Sequence, residues 1–334
     1  MIKRQTLQVN GLQTLGWLGD KIIDWARGGQ TISLDGEQEA LGAYYFAYGF
    51  DSVIISSCGV YAFLYKRLGT KGLLLKNGEE LREVNRPFYQ SEEYEYPAAF
   101  ITLAGGRTLL AHCPKEYCRL DFEDVETGEL LTNSSDRKPA DFFHSRLELS
   151  LDNRTLLSKG WHWHPWSAVY AFNIEACLAN PALLDNGASV PGIGSEINTA
   201  GFIDHEQVLV GSSVGEPFDD INNSVPPLHL AIWNTRTNEV SKAVKVQGEF
   251  GNVFPIDERY AWDLYKYPKV IDLNTGEILA KIEDIPTGLQ DSSIIGYLAG
   301  ELPLMAFNPL SKQLAIRQKG VVEVLGWEVS RIIG

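Results

Sequence analysis

The chain has 334 residues, of which 44% are apolar and 22% charged, and its formal net charge is −14 at pH 7. These proportions are typical of a soluble globular protein, and the length fits two domains or one large all-β domain. Because an acidic surface without a Lys/Arg cluster repels phosphate groups, we expect neither nucleic acid nor membrane binding. A basic protein partner is compatible with this charge.

The first residues, MIKRQTLQVNGLQTLGW, contain no apolar signal segment, and no later run reaches the ~18 apolar residues of a membrane span. We therefore expect a cytoplasmic protein. Of the four cysteines, only Cys113 and Cys118 are close in sequence, and the second pair of a structural zinc site is missing. The sequence predicts no disulfide framework, metal or cofactor, and it predicts buried thiols for Cys58 and Cys113 in their apolar runs.

Short apolar runs, each preceded by a tight polar turn, recur along the chain. Two copies are nearly identical: GGRTLLA at residues 105–111 and DNRTLLS at residues 152–158. The turns lie at Asp20, Ser52, Arg107, Arg154, Glu206, Arg259 and Lys312. Apart from the first step, their spacing is on the order of 50 residues, which is typical of repeat proteins.

A second pattern follows several of these runs: an Asp or Asn, a tight turn and another short strand. It appears as DVETGEL at 124–130, WNTRTNEV at 233–240 and DLNTGEI at 272–278, and more loosely as KNGEEL at 76–81. Gly or Asn takes a positive φ at such a turn, while the preceding Asp or Asn bonds to the turn backbone. The pattern therefore predicts β-hairpins.

Units of roughly 40–50 residues with about four short strands indicate an all-β fold, a β-propeller of four-stranded antiparallel blades in one domain over residues 1–334. We count seven units, or six if the short first unit is an embellishment. They start near Gly11, Gly42, Ala98, Phe142, Glu196, Gly251 and Ser293. The last unit is short of a strand, so we expect residues 3–9 to pair with residues 321–327 and close the ring. The one helical stretch, residues 175–185, is cut short by Pro181.

The units GGRTLLA…DVETGEL and RYAWDLY…KVIDLNTGEIL resemble repeats of WD40-type or quinoprotein-type propellers. A Gly-His pair before each unit is missing, and the Trp-Asp pair that ends a WD40 blade has its nearest counterpart in Trp233-Asn234. The resemblance implies a platform for interactions with other proteins. Two stretches interrupt the repeat, residues 82–97 and 211–227, and such insertions carry function on one face of a propeller.

The stretch WHWHPW is the first candidate site. Strand alternation places Trp161 and Trp163 on one side, and His162, His164 and Trp166 on the other. Three interpretations are open: packing between blades, an exposed hairpin tip that binds a ligand or partner, and a two-histidine metal site that would need a third ligand.

The second candidate is the acidic group Glu216, Asp219 and Asp220. It lacks the ligand spacing of a calcium loop, which favours a solvated acidic loop. No G-x-S-x-G motif is present, and the Gly192-Ile193-Gly194 stretch lies outside any βαβ unit, so the catalytic residues are unknown.

The sequence favours a non-enzymatic protein-binding module that recognises a partner, with a basic partner fitting the charge. The alternative is a hydrolase or carbohydrate-active enzyme with its site in the central channel. An enzyme predicts carboxylates, His or Asn from several blades converging on a pocket there. A binding module predicts an aromatic and acidic patch on a face or rim.

Overall fold

The computed structural model describes residues 1–42, 44–163, 165–213, 223–298, 300 and 302–329. The chain begins with β1 (Ile2–Gln8), which belongs to the last blade. Blade 1 consists of β2 (Gly16–Leu18), β3 (Lys21–Asp24), β4 (Gln30–Ile32) and β5 (Gln38–Ala40). Blade 2 consists of β6 (Ser52–Ile55), β7 (Tyr61–Tyr65), β8 (Gly72–Lys76) and β9 (Glu79–Glu83). Blade 3 consists of β10 (Ala98–Thr102), β11 (Thr108–His112) and β12 (Asp121–Asp124), and a bridge from Glu123 to Leu130 marks its outer position.

The other four blades follow the same antiparallel plan. Blade 4 consists of β13 (Phe142–Phe143), β14 (Glu148–Leu149), β15 (Thr155–His162), β16 (Trp166–Asn173) and, after a short helix, β17 (Ala188–Ser189). Blade 5 consists of β18 (Thr199–Phe202), β19 (Gln207–Ser212), β20 (His229–Asn234), β21 (Glu239–Val240) and β22 (Val244–Lys245). Blade 6 consists of β23 (Val253–Pro255), β24 (Tyr260–Asp263), β25 (Lys269–Asp272) and β26 (Ile278–Lys281). Blade 7 consists of β27 (Met305–Phe307), β28 (Leu314–Gln318), β29 (Val321–Trp327) and β1.

The seven sheets form a ring around a central axis, with the first strand of each blade innermost. The inner strands contact one another in order from β27 through β2, β6, β10, β14, β18 and β23. The rings of Phe254 in β23 and Phe307 in β27, 5.2 Å apart, join blades 6 and 7. The prediction of a seven-bladed all-β propeller is confirmed, and the six-bladed alternative is wrong.

Strand β1 closes the ring as the sequence predicts. It pairs antiparallel with β29, with Ile2 opposite Trp327 and Gln8 opposite Val321. Leu7 is 4% exposed and packs in a cluster with residues of blades 1 and 7. The chain's first strand therefore completes the blade formed by its last strands, which leaves no open seam between the two ends.

The hairpin patterns fold as their residues predict. The Asp124 carboxylate accepts hydrogen bonds from the backbone N–H groups of Glu126 and Thr127, and Gly128 follows with a φ of 74°. Asn234 accepts the equivalent bond from the N–H of Thr237. In both turns a side-chain oxygen, of Asp124 or of Asn234, accepts hydrogen bonds from the turn backbone, so these two residues have a structural role.

The helical stretch consists of α1 (Ile174–Ala179) and a 3₁₀ turn (Pro181–Asp185), as expected from the proline. The thiol prediction is half right: Cys113 is fully buried, but Cys58 is exposed. The reason is that Cys58 lies in the turn between β6 and β7, beyond the half-buried apolar residues of β6.

We call the face at which the inner strands begin the upper face. The loops between blades and the hairpins between the second and third strands of each blade reach this face. The hairpins between the first and second strands lie on the opposite, lower face. The long connections between blades lie on the upper face. They comprise the described residues of loops 41–51, 84–97 and 282–304.

Burial makes His144 a source of acid sensitivity. Its ring is 3% exposed, Nδ1 lies 3.1 Å from Ser158 Oγ, and burial lowers its pKa to about 3. Because this pKa lies below the unfolded value of about 6.5, unfolding takes up a proton in that range. The free energy of unfolding should therefore fall by about 1.4 kcal/mol per pH unit as the pH drops from 6.5 towards 3.

Urea unfolding at pH 7 and pH 5 tests this expectation. The wild type should lose about 2 kcal/mol more than the His144→Gln variant between these pH values, because only the wild type carries the buried imidazole. His205→Gln is the matched control, since its side chain is 60% exposed. Equal losses in wild type and His144→Gln would contradict the assignment.

Candidate functional site

The WHWHPW stretch runs from the end of β15 to the start of β16, and these two strand ends lie on the upper face. Trp161 is 4% exposed, and its ring stacks on Phe143 with centroids 3.8 Å apart and planes 3° from parallel. Trp161 is therefore buried against Phe143 of its own blade and lies 6.2 Å from Tyr94 in the loop between blades 2 and 3.

Trp163 extends this stack to the surface. Its ring lies 5.9 Å from that of Trp161 and 6.3 Å from that of Tyr89, and 44% of the residue is exposed. The expected shared side for Trp161 and Trp163 is therefore observed. We call the whole assembly the aromatic platform, and it consists of Tyr89, Tyr94, Tyr117, Phe143, Trp161 and Trp163. It joins the loop 84–97, the hairpin between β11 and β12, and blade 4.

His162 points to the other side of the strand and is bonded at both ring nitrogens. Nδ1 lies 3.0 Å from the carbonyl oxygen of Asp141, and Nε2 lies 3.0 Å from the Tyr170 hydroxyl. Trp166 is half-buried opposite His162 in the strand register. His164 lies outside the described residues, and among those described no three His, Cys, Asp or Glu side chains are grouped closely enough to hold a metal ion.

The acidic candidates Glu216, Asp219 and Asp220 fall within residues 214–222, which also lie outside the described residues. Their interpretation as a binding patch or a solvated loop stays a prediction from sequence. The last residue of β19, Ser212, and the first residue of β20, His229, lie on the upper face.

The exposed aromatic residues of the described chain all lie on the upper face. They are 44% to 81% exposed and comprise Tyr44, Tyr45, Tyr48, Phe88, Tyr89, Trp163 and Tyr297. Exposed leucines, in contrast, also occur on the lower face, where Leu151 and Leu310 lie in hairpins between first and second strands. The aromatic insertion at residues 82–97 predicts part of this surface. The run AYYFAYGF before β6 belongs to it too, although the repeat pattern predicts the start of a blade near Gly42.

The loop 282–304 crosses the mouth of the central channel. It leaves blade 6, pairs with the loop between blades 2 and 3, and returns to blade 7. The N–H groups of Ile295 and Gly296 donate to the Glu93 carbonyl at 2.8 and 3.0 Å, and Glu95 N–H donates to the Ser293 carbonyl at 3.3 Å. Blades 3 and 7 are not neighbours in the ring, so this pairing lies across the channel.

A polar group surrounds Arg146 beside this crossing. Its guanidinium donates to the Asn198 carbonyl at 2.6 Å and to Asn252 Oδ1 at 3.3 Å, which ties three blades together. Burial lowers the pKa of Arg146 and raises that of Asp291, and the two side chains attract each other. The Asn252 amide and the Asp291 carboxyl thus lie near Arg146, but Asp291 belongs to the crossing loop and Asn198 contributes only its backbone carbonyl, so the convergence of side chains that the enzyme alternative predicts is met only in part.

No family model and no curated protein matches this chain. The resemblance to WD40-type and quinoprotein-type repeats therefore holds at the level of the seven-bladed propeller, without support for either family. In the part of the chain that the structure describes, no helix is both long enough and apolar enough to span a membrane.

Proposed function

We propose that this protein is a non-enzymatic binding module that holds a protein partner on its upper face. The observation that carries the proposal is the restriction of all seven exposed aromatic side chains of the described chain to that face. Trp and Tyr are the residues that most often anchor protein interfaces, because each buries a large area at low entropic cost. Exposed apolar surface gathered on one side of a protein marks an interaction site.

The platform supports this role because its exposed rings are held in place. Trp163 rests against Trp161, and Trp161 is sandwiched against Phe143 within the blade. A ring that is already ordered loses little conformational freedom when a partner covers it, so more of the contact energy remains as affinity.

The net charge of −14 supports a basic partner. Opposite charge accelerates encounter, and the effect weakens as salt screens it. We therefore expect the partner to associate more slowly and dissociate from the protein more readily at high salt.

Affinity capture with wild-type bait at low and high salt, followed by titration of the captured protein, tests the proposal. The double variant Phe88→Ala/Trp163→Ala should bind that protein at least about tenfold more weakly, because it removes two exposed anchors. The matched control, Leu151→Ala/Leu310→Ala, removes two exposed apolar side chains from the lower face and should bind like the wild type. Retained binding by the upper-face variant, or loss by the control alone, would contradict the proposal.

The channel-enzyme alternative has less support. The polar group around Arg146 draws residues from several blades, but its hydrogen bonds are made among protein groups, and the pairing of residues 293–296 with 93–95 lies over the mouth. A substrate that approached the channel from the upper face would therefore meet this pairing first.

A further inference from the structure

We infer that the edge of the aromatic platform at Asp141, Tyr89 and Trp163 receives an arginine side chain of the partner. The inference rests on the proposed function and names the chemistry that the upper face recognises. Binding of an arginine requires an exposed carboxylate held at a fixed position, a neighbouring aromatic face and a negative local charge.

The Asp141 carboxylate is exposed and anchored. Its Oδ1 accepts a hydrogen bond of 2.7 Å from the Tyr117 hydroxyl, and its carbonyl oxygen accepts from His162 Nδ1 at 3.0 Å. A carboxylate has about four acceptor positions, so the Tyr117 bond leaves most of them for a ligand. A fixed carboxylate of this kind suits a guanidinium, which donates two parallel hydrogen bonds.

Tyr117 connects this carboxylate to exposed aromatic rings. The Tyr117 ring is 5.1 Å from Tyr89, and Tyr89 is in turn 6.3 Å from Trp163. Tyr89 is 48% and Trp163 44% exposed, so each offers part of a ring to a partner. A planar cation stacks on such a ring, with Trp the strongest partner.

The surrounding charge favours a cation. Glu116 precedes Tyr117, Glu92 lies in the same loop as Tyr89, and both are exposed. Two exposed lysines, Lys115 and Lys138, also lie in these segments, and the Lys115 Nζ is bonded to Asn133 Oδ1 at 2.6 Å. The segments that form the platform edge thus carry three exposed carboxylates and two exposed lysines, in a chain whose net charge is −14.

The platform already accommodates a guanidinium on its buried side. Arg86 lies over the ring of Tyr94 at 4.4 Å and over that of Tyr96 at 5.0 Å, with its Nη2 donating to the Tyr94 carbonyl at 2.9 Å. Arginine, rather than lysine, combines a flat stacking surface with bidentate donation to a carboxylate. We therefore expect the site to distinguish the two cations.

Fluorescence anisotropy with three labelled peptides tests this inference. In the first peptide glycine alternates with arginine, in the second with lysine, and in the third with citrulline, the neutral analogue of arginine. Wild-type protein should bind the arginine peptide about fivefold more tightly than the lysine peptide, and the citrulline peptide most weakly. Asp141→Asn, which keeps an acceptor for Tyr117, and Trp163→Ala should each weaken arginine-peptide binding about fivefold.

Glu258→Gln is the matched control because it removes one exposed carboxylate from the lower face. It should change the affinity less than about twofold. Equal losses in Asp141→Asn and Glu258→Gln would show attraction by overall charge only and overturn the inference, as would equal binding of the arginine and lysine peptides. The proposed function would survive either outcome if the captured partner still required Phe88 and Trp163.

Discussion

Deletion of residues 1–9 is expected to abolish cooperative folding at 25 °C. The deleted segment contains β1, and Leu7 and Val9 in it are 4% and 7% exposed. Burying two such side chains contributes about 3–6 kcal/mol, a large share of the roughly 5–15 kcal/mol that stabilises a typical domain.

The deletion also removes a network at the seam. Arg4 donates to the Glu323 carboxylate at 2.9 Å and to Asp284 at 2.6 Å, and the Thr6 hydroxyl donates to Glu323 at 2.9 Å. Without β1, Glu323 loses these partners, and β29 becomes an unpaired edge that invites aggregation. Size-exclusion chromatography and urea unfolding monitored by tryptophan fluorescence measure both effects.

A synthetic peptide with the sequence of residues 1–9 separates loss of the strand from general damage. Added in excess to the truncated chain, it should restore a cooperative unfolding transition, because binding to the native state stabilises it by mass action. A scrambled peptide of the same composition is the control. A truncated chain that unfolds like the full chain would contradict the role of β1 in closing the ring.

The features predicted correctly from sequence are those determined by the chemistry of neighbouring residues or by the number of strands in each repeat unit. Asp124 and Gly128 specify a hairpin because the carboxylate bonds to the turn and glycine takes a positive φ. The pairing of β1 with β29 followed because the last unit was short of one strand and the ring needs closure. Such rules depend on residues near one another or on a repeated plan.

The upper face was harder to predict because its loops do not repeat. The contact between Glu93 and Ile295 joins residues about two hundred positions apart, and nothing in either segment specifies the other. The repeat pattern predicts the start of the second unit near Gly42, whereas the inner strand of blade 2 begins at Ser52. The exposed tyrosines of residues 44–48 therefore belong to an upper-face loop that the repeat pattern does not predict.

Within WHWHPW, sequence alternation placed Trp161 and Trp163 on one side but could not assign them different roles. The two residues differ in burial: Trp161 is 4% exposed and packs beside Phe143, while Trp163 is 44% exposed. The packing and binding interpretations are therefore compatible, since one tryptophan supports the other. Binding itself stays a prediction.

Replacing Trp161 with alanine is expected to lower the free energy of unfolding by about 3–5 kcal/mol, the usual effect of removing a buried aromatic side chain. The loss should be large because the ring packs against Phe143 at 3.8 Å and Tyr94 at 6.2 Å, and also underlies Trp163. Trp163→Ala should cost less than about 1 kcal/mol, since almost half of that residue is already in solvent.

Urea unfolding of the two variants measures this contrast directly. A double-mutant cycle with Phe143→Leu should give a coupling of about 0.5–1.5 kcal/mol between Phe143 and Trp161, as expected for a stacked aromatic pair. Comparable losses for Trp161→Ala and Trp163→Ala would mean that the hairpin tip is part of the core, and the surface assigned to Trp163 would then be wrong. A stable Trp163→Ala variant with weakened partner binding would instead show that Trp161 stabilises the fold while Trp163, two residues later, contacts the partner.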